Sequence, residues 1–129
     1  MEAYGIRIFV DDIRIARRFY GSTLGFREEW AMPELGAVGF DAGGIKLIVE
    51  EENPRGEDAH LIGRFIGISF AVDDMETAYR DMFNKGVHFA GPPQAQAWGG
   101  TLAHFRDPSN NILTLVESVR TDMKAAAFG

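Results

Sequence analysis

The sequence predicts an α+β domain made of two tandem βαβββ modules, and three observations carry that prediction. GIRIFVDD (Gly5 to Asp12) returns almost letter for letter as GISFAVDD (Gly67 to Asp74). The copies then stay in step. Ala16 and Arg18 recur as Ala78 and Arg80, and Leu24-Gly25-Phe26 corresponds, after a one-residue slip, to Lys85-Gly86-Val87. Finally, GGIKLIVEE (Gly43 to Glu51) echoes NNILTLVES (Asn110 to Ser118). A match of this length, in the same order, indicates internal duplication.

Each element follows from local pattern. Ile6, Ile8 and Val10 alternate with Gly5, Arg7 and Phe9, the period of a half-buried strand, and Ile68, Phe70 and Val72 alternate with Gly67, Ser69 and Ala71 in the same way. The Asp pair that follows each run ends the strand and offers a helix N-cap. Ile13, Ala16, Phe19 and Tyr20 share one helical face, as do Met75, Ala78, Tyr79 and Met82. Gly25 and Gly86 are helix stops. Three strand-like runs complete each half: 26–30, 37–40 and 45–50, then 87–89, 101–105 and 112–116. Turn signals at Asp41-Ala42-Gly43-Gly44 and Asp107-Pro108-Ser109-Asn110-Asn111 separate them. Eight strands and two main helices are expected. Residues 1–129 read as one domain, with a first module at 4–51, a polar linker at 52–64, a second module at 65–118 and a tail at 119–129. The tail has no strand pattern and is expected to fray or to form a short interfacial helix.

Composition narrows the functional classes. The chain has 129 residues, 46% of them hydrophobic and 25% charged, an ordinary globular balance. With no cysteine, disulfides, thiolate catalysis and Cys-ligated metals are excluded. The opening MEAYGIRIFV has no basic segment followed by a long apolar one, so no signal peptide is expected, and a cytoplasmic location is. No apolar run approaches the roughly 18–20 residues of a membrane span. A net charge of −6 and a pI near 5.0 disfavour non-specific binding to nucleic acid.

VDDIRIARRFYGSTLGF and WGGTLAHFRDPSNNILTLVE together resemble the vicinal oxygen chelate superfamily, which includes glyoxalase I, bleomycin- and fosfomycin-resistance proteins and extradiol dioxygenases. The resemblance runs from about Tyr4 to Glu117. It implies two paired modules that form a curved mixed sheet around a cleft, commonly in a homodimer. Catalytic members of the superfamily hold a divalent metal through His, Glu or Gln on the cleft-facing strands, where open coordination positions polarise substrate oxygens. Carried onto this chain, the implied positions are Gly5, Gly67, Thr114 and either Leu47 or Lys46. None is an ordinary metal ligand. No metal and no other cofactor is therefore expected, and neither glyoxalase I nor dioxygenase activity. An unconventional site from His104, Glu50 and His60 has no supporting spacing.

Strand alternation assigns the other wall residues. Ile6, Ile8, Val10, Ile45, Leu47, Val49, Ala103, Phe105, Leu113 and Leu115 are expected against the helices. Arg7, Phe9, Lys46, Ile48, Glu50, Ser69, Ala71, Leu102, His104, Arg106 and Thr114 are expected to face the cleft, with Trp30 and Trp98 bordering it. Arg7 and Lys46 suit an anionic group, or a neighbouring carboxylate such as Glu50. Trp30, Trp98 and Phe9 could stack on a flat ligand, the alternatives being core packing for Phe9 and a turn anchor for Trp98. His104 is the candidate acid–base group, or a structural hydrogen bonder. Pro92-Pro93 and the QAQA that follows read as a loop over the cleft mouth. The expected function is binding of a small organic molecule without metal. The alternative is a lyase- or isomerase-type enzyme acting on a small anionic metabolite through His104 or an atypical metal site.

Overall fold

The computed structural model describes residues 1–118. The expectation for the tail, 119–129, lies outside the described residues. The chain divides into two compact units: Met1–Ile66 with Asp107–Asn111, and Gly67–Arg106 with the segment from Ile112 onward. Each carries one sheet and one helix, so the fold is α+β. The turn predicted as part of the second module thus belongs to the first unit.

In the first unit β1 (Ile6–Val10) leads into α1 (Ile13–Arg18), then β2 (Arg27–Met32), β3 (Ala37–Asp41) and β4 (Lys46–Glu51). The sheet order is β1-β4-β3-β2, with β1 parallel to β4 and the remaining pairs antiparallel. Asp12 caps α1 as its sequence pattern predicts, its side chain accepting from Arg14 N and Ile15 N. The helix then widens into a π-turn over Phe19–Thr23 and stops before Gly25, whose φ of +79° suits glycine. Ile13, Ala16, Phe19 and Tyr20 are all buried, against Ile8, Val10, Val38, Phe40, Leu47 and Val49 from the sheet. The Tyr20 ring meets Phe19 edge-on at 5.2 Å and Phe40 at 6.1 Å. Ile45 is a correction: expected inside, it precedes β4 and is 46% exposed.

The second unit repeats the plan with β5 (Phe65–Ala71), α2 (Met75–Asn84), β6 (His88–Phe89), β7 (Gln94–Ala95), β8 (Thr101–Arg106) and β9 (Ile112–Glu117). Strand order is β5-β9-β8-β6, and β7 also pairs with β8. Nine strands therefore stand among the described residues, against eight expected. The difference arises because β6 pairs with Phe105 and Arg106 while β7 pairs with Thr101 and Leu102. One edge strand is interrupted at Pro92-Pro93, where proline offers no N–H to a ladder. The expected free loop is thus half edge strand. Asp74 caps α2, and Tyr79, Phe89 and Phe105 stack in a chain with centroids 4.5 and 5.9 Å apart.

Candidate ligand-binding site

The first sheet shows two unlike faces. One is the apolar side that buries α1. On the other, strand pairing sets three rows: Lys46, Asp41 and Arg27; Arg7, Ile48, Gly39 and Trp30; Phe9, Glu50, Ala37 and Met32. Charges in these rows are matched in pairs. Arg7 donates Nε and Nη2 to the two oxygens of Glu50, at 2.6 and 3.0 Å, in a forked pair. Lys46 Nζ reaches Glu29 at 2.9 Å, and Arg27 reaches Asp41 at 2.9 Å. The Glu50 carboxylate raises the Arg7 pKa above its ordinary value, chiefly by hydrogen bonding and then by charge, and Glu29 does the same for Lys46. Both cations expected to meet an anionic ligand thus hold a carboxylate already.

Trp30 reaches this open face through a β-bulge. The register of β2 against β3 slips between Glu28 and Trp30, so Glu28 faces α1, where it pairs with Arg17, and Trp30 turns to the open side. There the indole lies across Gly39, its Nε1, Cε2 and Cζ2 occupying the space that a Cβ would fill. The glycine in AVGFD is what admits the ring. Phe9 is only 9% exposed, and the Arg7 and Arg64 guanidinium carbons sit 5.1 and 5.9 Å from its centroid. Its ring is therefore a platform for two guanidiniums rather than a bare stacking surface. Arg64 was not singled out from sequence, because it sits in the segment read as linker.

In the second unit His104 and Thr114 face each other across β8 and β9, and His104 Nδ1 and Thr114 Oγ1 share a hydrogen bond of 2.8 Å. Thr114 is buried at 3% exposure. His104, Leu102, Pro92 and Gln94 border a recess of about 110 Å³. Ser69 is exposed on β5. Trp98 folds over its own Gly100, with Cζ3 and Cη2 where a Cβ would stand, which makes it a turn anchor. A larger cavity, about 610 Å³, lies beside α2 and is bordered by Met75, Tyr79, Pro93 and Thr101, where no site residue was expected.

The positions implied for metal ligands can be tested on this geometry. A Cβ at Gly5 would stand 2.7 Å from the Lys46 carbonyl oxygen, a backbone atom that cannot yield cheaply. Gly67 has φ of +79°, which strains any side chain. For the first module the register needs correcting. Glu51 Oε2 accepts from Ile13 N at 3.0 Å, and Glu117 Oε2 accepts likewise from Met75 N. Matching the modules on that shared cap makes Ile48, not Leu47 or Lys46, the counterpart of Thr114. Leu47 faces the helix, fully buried. These residues do not fit a metal. No group of three or more His, Asp or Glu among the described residues could hold an ion, and the His104, Glu50 and His60 combination is not such a group.

The turn after β8 carries the most buried polar cluster of the first unit. Tyr20 Oη donates to Asp107 Oδ2 at 2.7 Å, and Asn111 Nδ2 donates to the same oxygen and to Phe9 O. Asp107 Oδ1 accepts from Ser109 N and Asn111 N, both at 2.9 Å. Burial pushes the Asp107 carboxyl up against these donors, and burial followed by the Asp107 charge pushes the Tyr20 hydroxyl well above its usual value.

Known proteins place this arrangement. Residues 5–115 match the model of the glyoxalase/bleomycin resistance protein/dioxygenase superfamily. Protein YraH of Bacillus subtilis is 29% identical over 126 residues, covering 89% of this chain and 97% of that protein. A superfamily member from Sphaerobacter thermophilus is 31% identical, with a TM-score of 0.72 over 92% of this chain and 99% of its own. A lactoylglutathione lyase from Agrobacterium tumefaciens shares the fold at 17% identity, with a TM-score of 0.71 over 91% and 93% of the two chains. With most of its length matched by the family model and its two-sheet plan matched by solved members, the chain belongs to the glyoxalase/bleomycin resistance protein/dioxygenase superfamily.

Proposed function

We propose that the chain binds a small organic molecule on the open face of the first sheet, the face that the family resemblance assigns to the cleft, without the superfamily's divalent metal. One observation supports this reading above the rest. At Gly5 the backbone of β4 comes so close that no ligand-bearing side chain has room. With Gly67, Ile48 and Thr114 at the other implied positions, an ion would find neither imidazole nor carboxylate. What remains on that face is an indole laid over Gly39 beside Ile48, ringed by matched charges. An apolar floor with a few fixed polar groups suits a flat organic ligand.

Binding to the folded state stabilises it, so thermal melts of the full chain against drugs and aromatic metabolites test the reading. A compound that raises the melting temperature equally with and without EDTA is the expected result. Stabilisation that appears only with added divalent metal contradicts it.

A second reading, an enzyme acting through His104, is favoured by the His104–Thr114 hydrogen bond, which fixes the ring at the edge of a recess. Turnover of a small anionic metabolite that is lost in His104→Ala supports it. Full activity in that variant removes it.

A further inference from the structure

Arg7 and Lys46 are each bound to a carboxylate, yet one guanidinium on the same face is not. Among the described residues Arg64 makes no ion pair. Its Nε donates to Leu61 O at 3.0 Å, which holds the plane of the fork and leaves both terminal nitrogens for a ligand. Its position is built in. Gly63, at φ of +77°, turns the chain, and Gly63 N and Arg64 N both donate to Asn111 Oδ1, at 2.9 and 3.0 Å. Asn111 is fully buried, and its Nδ2 donates to Phe9 O at 2.8 Å. One buried amide thus fixes both the strand that carries the Phe9 ring and the backbone of the arginine stacked on it.

Charge points the same way. Arg7 with Glu50, Lys46 with Glu29 and Arg27 with Asp41 cancel in pairs, whereas no carboxylate among the described residues pairs with Arg64. The chain as a whole carries −6, which repels anions unless a local cation offsets it.

We propose that Arg64 selects the ligand: the site takes a planar organic acid whose carboxylate pairs with the Arg64 fork while its ring lies toward Trp30. This rests on the binding function proposed above. A guanidinium matches a carboxylate through two parallel hydrogen bonds, and one already oriented loses less freedom on binding.

The test uses the full chain and matched probes: benzoate, 1-naphthoate and indole-3-acetate against their primary amides, by calorimetry. In the native chain an acid binds about tenfold or more tightly than its amide, the size expected of one charge-assisted pair. Arg64→Gln brings the two within about threefold of each other while the chain stays folded, with only a small drop in melting temperature for the lost Leu61 bond and Phe9 contact of an exposed side chain. Arg64→Lys, which keeps the charge without the fork, recovers only part of the preference. An Arg64→Gln chain that still prefers acids overturns the assignment. Amides that bind the native chain as well as the acids also overturn it, but leave the binding function standing. If neither series binds, the assignment of Arg64 falls, and the thermal melts against other compounds decide the binding function.

Discussion

Tyr20 shows how much a single buried group can govern. It is wholly buried, and its hydroxyl donates to a carboxylate that is itself largely out of water. Its pKa is raised in the fold, so the stability it supports is complete below pH 10 and is lost as pH climbs from there toward the folded value. In that range stability falls by up to about 1.4 kcal/mol per pH unit. Tyr20→Phe should therefore flatten the alkaline limb of a stability–pH profile recorded by urea unfolding. It should also lower stability near neutrality by about 1.5–3 kcal/mol, through the lost bond to a charged acceptor. At Gly5 the restriction is steric. Gly5→His, the change that would restore a family-type side chain, drives a Cβ into the Lys46 carbonyl and should cost about 1–3 kcal/mol. It should gain no metal affinity, as Ile48 and Thr114 offer no companion ligands. Denaturation midpoints with and without Zn²⁺ check both statements.

At the scale of elements, the bulge in β2 and the glycine in β3 act together, one turning Trp30 outward and the other giving its ring a seat. Gly39→Ala fills that seat and must expel the indole. In a Trp98→Phe background the emission of Trp30 should shift to the red and ligand-induced stabilisation should disappear, while far-ultraviolet circular dichroism stays unchanged. Retained binding would detach Trp30 from the site. Strand and helix positions were legible in the sequence because alternation and the Asp caps are local signals. Less legible was whatever depends on a partner strand. Nothing in REEWAM announces a bulge, and the two-residue strand at Gln94–Ala95 exists only as a pairing with β8. The register of the two modules was off by one because sequence aligns Glu50 with Glu117. In three dimensions Glu51 is the residue that caps its helix as Glu117 does.

For the whole molecule, the duplication explains why the same chemistry appears twice and the same vacancy twice. Each module spends its Asp and its last strand Glu on capping a helix, and each opens on a glycine whose reason differs: contact with a backbone oxygen at Gly5, a left-handed conformation at Gly67. Sequence could show that these positions lack side chains, but not that the backbone forbids them. The candidate site was legible in part. Its wall residues were named from alternation, whereas Arg64 and the matching of Arg7 and Lys46 to carboxylates depend on distances that no pattern encodes. The proposed binding function needs no divalent metal. Elemental analysis of the purified full chain, dialysed against equimolar Ni²⁺, Zn²⁺, Mn²⁺ and Fe²⁺ and then freed of loose ions, tests it most directly. Far less than one metal ion per chain is the expected result. A stoichiometric ion of any of the four would contradict it.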